Sequence, residues 1–483
     1  MPLKKVCKMD NWLKKRASLT PKRMALSYHE QNWTFAELQQ AVLETCTHLV
    51  GQKVQTAKRV AVLGNNTSQL YFTILALQQL GIEMVLINKN LALPEIEYQL
   101  HDANVDLLIY EDEFQSKLQP LKSMTLISLN DLHDSISADA SSFIKDEFNL
   151  DQVTSIMYTS GTTGNPKGVM QTFRNHWSSA IGADLNLPVT AKDTWICAVP
   201  LFHISGFSIM MRSLIYGMNV RLYEHFNPEL INQDLLNGKG TIISVVPYML
   251  KKLLSLKDSD YSEKFSYMLL GGGAIDRKTL EICKDSNINV IQSYGMTETA
   301  SQVVALNLAD AIRKLGSVGK PLFPVSLKIK GATKPNQIGE ILLKADNITP
   351  GYLNHSAPIT NNGWFATGDL GYLDADGFLY LKSRLSELII SGGENIYPLE
   401  IENVINQFPN IIESAVVGKA DSTWDAVPVA FIVTDSMINL KKLTAYLTSN
   451  LAKYKVPKKF IVVDKLPKTH NGKLQRKKLQ SQI

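Results

Sequence analysis

Charge of one sign, cysteine and long hydrophobic runs are all scarce in this sequence, and each scarcity removes a class of function. Lysine plus arginine exceed aspartate plus glutamate by only 5, 50 against 45. So small an excess does not imply nucleic acid unless the basic residues cluster. The four cysteines, Cys7, Cys46, Cys197 and Cys283, stand far apart, with no C-x-x-C and no histidine at ligand spacing. That argues against a zinc site and a disulfide framework, and fits a reducing cytosol. No run of about 18 apolar residues exists, so no membrane-spanning helix is expected. The early lysines are not followed by an apolar h-region, and no signal peptide is expected. The expectation is a cytoplasmic protein with no membrane insertion. Internal repeats and low-complexity tracts are also missing.

What is present is an ordinary globular composition, 45% apolar and 20% charged, spread over 483 residues. At about 150 residues per domain that length suggests roughly three units. Short apolar runs alternate with helical spacing: Val60-Ala61-Val62-Leu63, then Gln69 to Leu80, then Glu83 to Ile87. Further runs follow at 107–110, 241–246 and 268–270. Strands alternating with helices point to an α/β chain with largely parallel sheets. After about residue 320 short strand-like runs with turn signals dominate, such as Asp374-Ala375-Asp376-Gly377. A compact unit is expected beyond Ser391. It has a helix starting at Pro398 with Glu400 and Glu402 in its first turn, strands at 414–417 and 427–433, and an amphipathic helix at 440–451. The domain boundary is expected near Ser383–Glu387.

The strongest local signal is Thr159-Ser160-Gly161-Thr162-Thr163-Gly164-Asn165-Pro166-Lys167-Gly168, directly after the apolar run 153–158. Polyphosphate recognition needs backbone N–H groups that glycine lets approach closely, hydroxyl donors and a cation. This loop has all three, without the G-x-x-x-x-G-K-[ST] spacing of a Walker A loop. The same composition in a mere surface turn would be unusual.

At these residues the sequence resembles the adenylate-forming superfamily: acyl- and aryl-CoA ligases, peptide-synthetase adenylation domains and firefly luciferase. The superfamily's other motifs are matched in order by Ser293-Tyr294-Gly295-Met296-Thr297-Glu298-Thr299, Thr367-Gly368-Asp369, Ser391-Gly392-Gly393-Glu394-Asn395-Ile396-Tyr397-Pro398 and Asn471-Gly472-Lys473. The resemblance runs over roughly residues 12–478. It implies a large N-terminal domain, 1–385, of stacked α/β subdomains plus a β-barrel-like subdomain. A hinge would join it to a small mobile α+β C-terminal domain, 386–483.

By this resemblance the ATP- and AMP-binding residues are Thr159, Ser160, Gly161, Thr162, Thr163, Gly164, Lys167, Gly272, Tyr294, Gly295, Thr297, Asp369 and Arg384. Glu298 would hold Mg²⁺, a hard cation that wants carboxylate oxygen. Tyr294 would offer adenine a flat face, Thr297 a hydroxyl to the α-phosphate, and Asp369 an acceptor for two ribose hydroxyls. Thr162, Glu298 and Lys473 are the catalytic candidates. Adenylation brings a carboxylate against the α-phosphate, and a positioned ammonium at Lys473 would offset the repulsion of the two anions. Taken alone, Asp369 reads as a turn residue, Glu298 as a helix cap and Lys473 as a solvated charge. Lys473 must leave before a thiol can enter, so the small domain should pivot. The family's hinge position, usually Asp or Lys, is Ser386 here, which puts the usual charge contacts of the hinge in doubt.

For the acid, Pro200-Leu201-Phe202-His203-Ile204-Ser205-Gly206 resembles the segment that lines the acyl pocket, with His203 either a gate or a core histidine. Gly271, Gly272 and Gly273 would let a flat aryl group lie against backbone. No aspartate stands near Ser205–Phe207 to take an amino acid's ammonium. Together with Gln171-Thr172-Phe173-Arg174-Asn175-His176 and Y-G-M-T-E-T-A-S-Q, the P-L-F-H-I-S-G run is similar to the o-succinylbenzoate–CoA ligases of bacterial menaquinone synthesis. Such a substrate carries a second carboxylate, for which Ser205, Thr299, Ser301 and Gln302 are the candidates. The alternative is another aryl- or acyl-CoA ligase, or an enzyme loading a carrier-protein thiol. The co-substrate coenzyme A would meet Gly392, Gly393 and Glu394. The basic tail (Lys453, Lys455, Lys458, Lys459, Arg476, Lys477, Lys478) could face its 3′-phosphate or simply be solvated. No interleaved aromatics point to nucleic acid. Homo-oligomerisation is left open.

Overall fold

A computed structural model describes residues 7–121, 124–159, 166–187, 189–272, 275, 277–307, 310–391, 394–422, 424–469 and 474–483. The alternating apolar runs form two large sheets. A six-stranded sheet runs Lys167–Thr172, Val153–Thr159, Glu83–Leu86, Arg59–Leu63, Leu107–Tyr110, Thr125–Ser128, parallel except for the first pair. A nine-stranded sheet has at its centre the parallel strands Val290–Met296, Tyr267–Leu270, Ile242–Val245, Thr194–Cys197 and Asn219–Leu222. Its central strands Tyr267–Leu270 and Ile242–Val245 are buried at every residue. That burial on both faces is why they read as unbroken apolar runs and not as alternation.

The helix Ser68–Leu80 is buried at eleven positions. It shares one core with Val60, Val62, Met84 and Leu86 of the six-stranded sheet and Trp195, Ile196 and Val220 of the nine-stranded one. A helix apolar on all sides belongs in such an interior, and this one lies between the sheets. Thr67 caps it through Leu70 N–H and Gly81, at φ +77, ends it.

The subdomain expected to be barrel-like is an open four-stranded antiparallel sheet, Ser326–Ile329, Gly339–Lys344, Phe365–Leu373 and Leu379–Arg384. The Asp374–Gly377 turn closes the last hairpin, with Gly377 at φ +79 and Asp374 N–H donating to Phe378 O at 3.0 Å. A single 3₁₀ turn, Leu385–Glu387, leads to the small domain. There the helices Pro398–Ile405 and Leu440–Asn450 pack with a five-stranded sheet, whose long strands Ile411–Asp421 and Asp425–Thr434 extend beyond the expected 414–417 and 427–433. Among the described residues no helix is long and apolar enough to cross a membrane.

In a largely parallel sheet the carboxyl ends of strands leave loops free to build a binding crevice. Three such loops follow Thr194–Cys197, Tyr267–Leu270 and Val290–Met296 of one sheet. They carry His203, Gly271 with Gly272, and Thr297 with Glu298.

Candidate active site

The run 159–168 includes the facing ends of two antiparallel strands, Thr159 opposite Lys167. Ser160, Gly161, Thr162, Thr163 and Gly164 lie outside the described residues, as do Gly273, Gly392, Gly393 and Lys473. Lys167 Nζ stands 5.5 Å from the centre of the Tyr352 ring, and the Tyr352 hydroxyl donates to Glu298 Oε1 at 2.9 Å. Lys167, Tyr352 and Glu298 are thus adjacent, although 131 residues separate the first from the last. Among the described residues the second oxygen of Glu298 has no hydrogen-bond or ion-pair partner. One carboxylate with an oxygen to spare fits Mg²⁺, which is held by one or two carboxylates while phosphates and waters fill its other positions.

Beneath this corner runs a buried chain of polar groups. Gln171 Nε2 donates to Thr297 O at 2.6 Å, Ser155 Oγ to Gln171 Oε1 at 3.1 Å, and His176 Nε2 lies 3.0 Å from Ser155 Oγ. Asn175 Nδ2 donates to Asp346 O and Ile348 O, each at 2.8 Å. The Gln171–His176 segment therefore fixes the backbone that presents Thr297 and Glu298. Burial, and then the nearby Arg212 charge, hold the His176 imidazole down to about 3, so it is neutral.

Asp369 and Arg384 face each other across one hairpin, with Arg384 Nε 2.7 Å from Asp369 Oδ1, while Tyr294 Oη donates to Asp369 Oδ2 at 2.7 Å. Burial and then the Asp369 charge push the Tyr294 hydroxyl well above its usual range, so it stays a donor. Arg384 and Tyr294 together orient the Asp369 carboxylate. Tyr294 is buried in one apolar cluster with Val303 and Val304. Gly295 is a glycine for a packing reason: a Cβ there would lie 2.1 Å from Ser301 O. Gly272, at φ +77, is exposed, and a Cβ at Gly271 would meet nothing closer than 3.6 Å.

At the acid end, His203 precedes the helix Ile204–Tyr216 with its ring 4.6 Å from Phe202, and Ser205 is exposed in the first turn. Thr299 does not belong with the acid-binding residues. It is 0% exposed, and its hydroxyl accepts from Met296 N–H at 2.9 Å and donates to Ser301 O at 2.6 Å. The hydroxyl holds the turn that carries Glu298. Ser301 and Gln302 do come together, around a residue that sequence reasoning missed. Arg212, 1% exposed, donates from Nη2 to Gln302 Oε1 at 3.0 Å and to Ser301 Oγ at 3.3 Å. Its guanidinium also lies 5.4 Å from the centre of the Trp195 ring. No aspartate or glutamate pairs with it among the described residues, and two buried donors, Arg212 Nε and Gln302 Nε2, have no partner. The signal in the sequence was an arginine as the one charged residue of the run Phe207 to Leu214.

Glu394 stands exposed at the start of the edge strand Glu394–Ile396, opposite Ser391. Ser386 is the middle residue of the turn between the four-stranded sheet and the small domain.

The AMP-binding enzyme model matches residues 13–353, and the AMP-binding enzyme C-terminal domain model matches 400–473. A 2-succinylbenzoate–CoA ligase of Listeria monocytogenes is 47% identical over 476 residues, 98% of this chain and 99% of that one. The o-succinylbenzoate CoA synthetase of Bacillus subtilis, in complex with the acyl-adenylate intermediate OSB-AMP, superposes with a TM-score of 0.93 at 40% identity, covering 98% of each chain. A double mutant of that synthetase bound with its product analogue OSB-NCoA has the same identity and coverage but a TM-score of 0.77. Matched by both models, and this similar to curated relatives along nearly its whole length, the chain belongs to the AMP-binding enzyme family.

Proposed function

We propose that this chain is an ATP-dependent acid–thiol ligase that converts 2-succinylbenzoate to 2-succinylbenzoyl-CoA, a step of menaquinone synthesis carried out in the cytoplasm. In the first half-reaction a carboxylate oxygen of the acid attacks the α-phosphorus of ATP, forming the acyl-adenylate as pyrophosphate leaves. In the second, the sulfur of coenzyme A attacks the acyl carbonyl and AMP leaves.

The observation that carries the choice of acid is the buried guanidinium of Arg212 behind Ser301 and Gln302. A buried charge without a counter-ion costs several kcal/mol. A dicarboxylic acid whose second carboxylate reaches this corner would supply the missing anion and the acceptors that Arg212 Nε and Gln302 Nε2 lack. Plain benzoate offers neither. The likeness to 2-succinylbenzoate–CoA ligases supports the same reading.

Thr159, Lys167 and the Ser160–Gly164 loop hold the polyphosphate, Asp369 and Arg384 the ribose, and Tyr294, Gly295 and Gly272 the adenine side. Mg²⁺ on Glu298 offsets phosphate charge when bound. Lys473 draws the two anions together and is carried away by rotation about Ser386, when Gly392, Gly393 and Glu394 turn towards coenzyme A. The lower superposition on the product-analogue complex, at unchanged identity and coverage, is what a rearrangement between rigid parts would produce. Incubation with ATP, coenzyme A and a panel of acids tests the reading. AMP and pyrophosphate should form, and kcat/KM should rank 2-succinylbenzoate above benzoate, coumarate and octanoate. ADP as product would end the adenylate reading, and equal rates with benzoate would end the choice of acid.

A further inference from the structure

The peptide that leads into the acid segment is held by a side chain from the other sheet. Asn66 follows the strand Arg59–Leu63 of the six-stranded sheet and is 3% exposed. Its Nδ2 donates to Val199 O at 3.0 Å, and its Oδ1 accepts from Leu201 N–H at 2.9 Å. One amide thus serves the backbone on both sides of Pro200, which has no N–H of its own. Asn66 is itself fixed by a single carboxylate. Glu111, which is buried, accepts from Asn65 N–H at 2.9 Å and from Thr67 Oγ1 at 2.6 Å. The turn that aims the amide is therefore held on either side of it.

What rests on residues 199–201 is the start of the helix Ile204–Tyr216. His203 N–H donates to Pro200 O at 3.1 Å, and Gly206 N–H to His203 O at 3.1 Å. Gly206 lies so close to the same peptide that a Cβ would stand 2.3 Å from Pro200 O and 2.8 Å from Val199 O. The far end of the helix is tied down separately, by Arg16 Nε on Leu214 O at 2.8 Å. A shift of 199–201 therefore moves the first turn most, and that turn carries His203 and Ser205.

We infer that Asn66 is a positioning residue for the acid. It carries the geometry of the six-stranded sheet, where Thr159 and Lys167 face each other, across to the segment 200–206 of the nine-stranded half. This rests on the reading in which that segment lines the acid site. Attack on the α-phosphorus needs the acid's carboxylate aligned with the phosphates. The two parts follow strands of different sheets, so one must be registered against the other, and the Asn66 amide does so here. Glu298, Asp369 and Arg384 are held by Tyr352, by Tyr294 and by one another, away from residues 199–201.

Asn66→Ala removes both bonds. The KM for 2-succinylbenzoate should rise about tenfold, the scale expected of a small misplacement. The KM for ATP at saturating acid, and the affinity for AMP by calorimetry, should stay at wild-type values. The melting temperature should fall, because Leu201 N–H loses its acceptor in a buried place. Asn66→Ser leaves a polar hollow that a water can fill. It should melt nearer to wild type and show the same split between acid and ATP at a smaller size. A general loosening would instead raise both KM values together. Equal rises for acid and ATP in the two variants, or an unchanged acid KM in Asn66→Ala, would overturn the proposal. Wild-type enzyme that forms no adenylate from ATP with any acid would instead overturn the functional reading on which it stands.

Discussion

The nucleotide end of the cleft draws two of its pairs from residues close in the chain, whereas the acid end joins residues far apart. Thr159 faces Lys167 and Asp369 faces Arg384, each pair across a single hairpin. Arg212, by contrast, reaches Ser301 across 89 residues and Gln302 across 90. The chemistry explains the difference. Phosphates and a ribose present fixed geometry that short stretches of glycine, hydroxyl and charge can match. An acid's side chain must be enclosed, and enclosure takes walls from several elements.

The sharpest break between the ends should come from Lys473, which serves the nucleotide reaction and not the fit of the acid. Lys473→Ala should slow adenylate formation on the order of 10²–10³-fold, the cost of removing one positioned charge-stabilising group. Given synthetic acyl-adenylate and coenzyme A, the same variant should make thioester at nearly the normal rate. Rapid-mixing measurement of each step checks this. Equal losses in both steps would make the lysine structural.

Arg212→Met should act on the other end. Losing hydrogen bonds to a charged group costs about 1.5–3 kcal/mol, so kcat/KM for 2-succinylbenzoate should fall roughly 10–100-fold while that for benzoate changes little. The ratio of the two is the measurement. Replacing an unpaired buried charge by an apolar side chain of similar length should leave the melting temperature unchanged or raise it. A variant that lost both substrates equally would mean that Arg212 only supports the Ser301 turn.

Asp369→Asn should return the effect to the nucleotide end. The amide keeps one acceptor but turns an N–H₂ towards Arg384 or Tyr294, so the ribose corner loses a charge-assisted bond. The KM for ATP should rise about tenfold, with a smaller change in kcat and none in the ranking of acids. Initial rates at varied ATP decide it.

The same contrast governs what was legible in the sequence. The strands 60–63, 107–110 and 268–270 and the helix 69–80 were readable because double-sided burial leaves unbroken apolar runs. Asp369 and Glu298 were singled out only by the motifs that hold them, since taken alone they read as a turn residue and a helix cap. Arg212 was not, since its partners appear only once the helix Ile204–Tyr216 packs beside the strand Ser301–Leu306. Thr299 misled for the converse reason: a hydroxyl beside Glu298 looks available until the turn is seen to use it. Gly295 looked like a nucleotide contact, yet the approach of Ser301 O already demands glycine there.

His176 lies between the two ends and should respond to pH through stability, the smallest effect of the set. Its neighbour Ser155 Oγ donates to Gln171 Oε1, so His176 Nε2 must be the protonated nitrogen that donates to Ser155. Burial and Arg212 keep the folded-state value at about 3, far below the ordinary histidine value of about 6.5. The depressed value works against the folded state in acid. Above about pH 6.5 neither state binds the proton and the histidine contributes nothing. Between about 6.5 and 3 the unfolded chain takes it up and the folded chain does not, so stability falls as pH falls. From pH 7.5 to 5.5 that loss is about 1.4 kcal/mol. Urea midpoints of the large domain at those two pH values should therefore move further apart in wild type than in His176→Asn, which has no titrating group. Arg212→Met removes only the second cause, so burial still holds the value well below pH 5.5 and the separation should stay close to that of wild type. Identical separations in all three proteins would mean that the folded protein protonates His176 as readily as the unfolded chain does, and the buried link between the two ends would not be neutral.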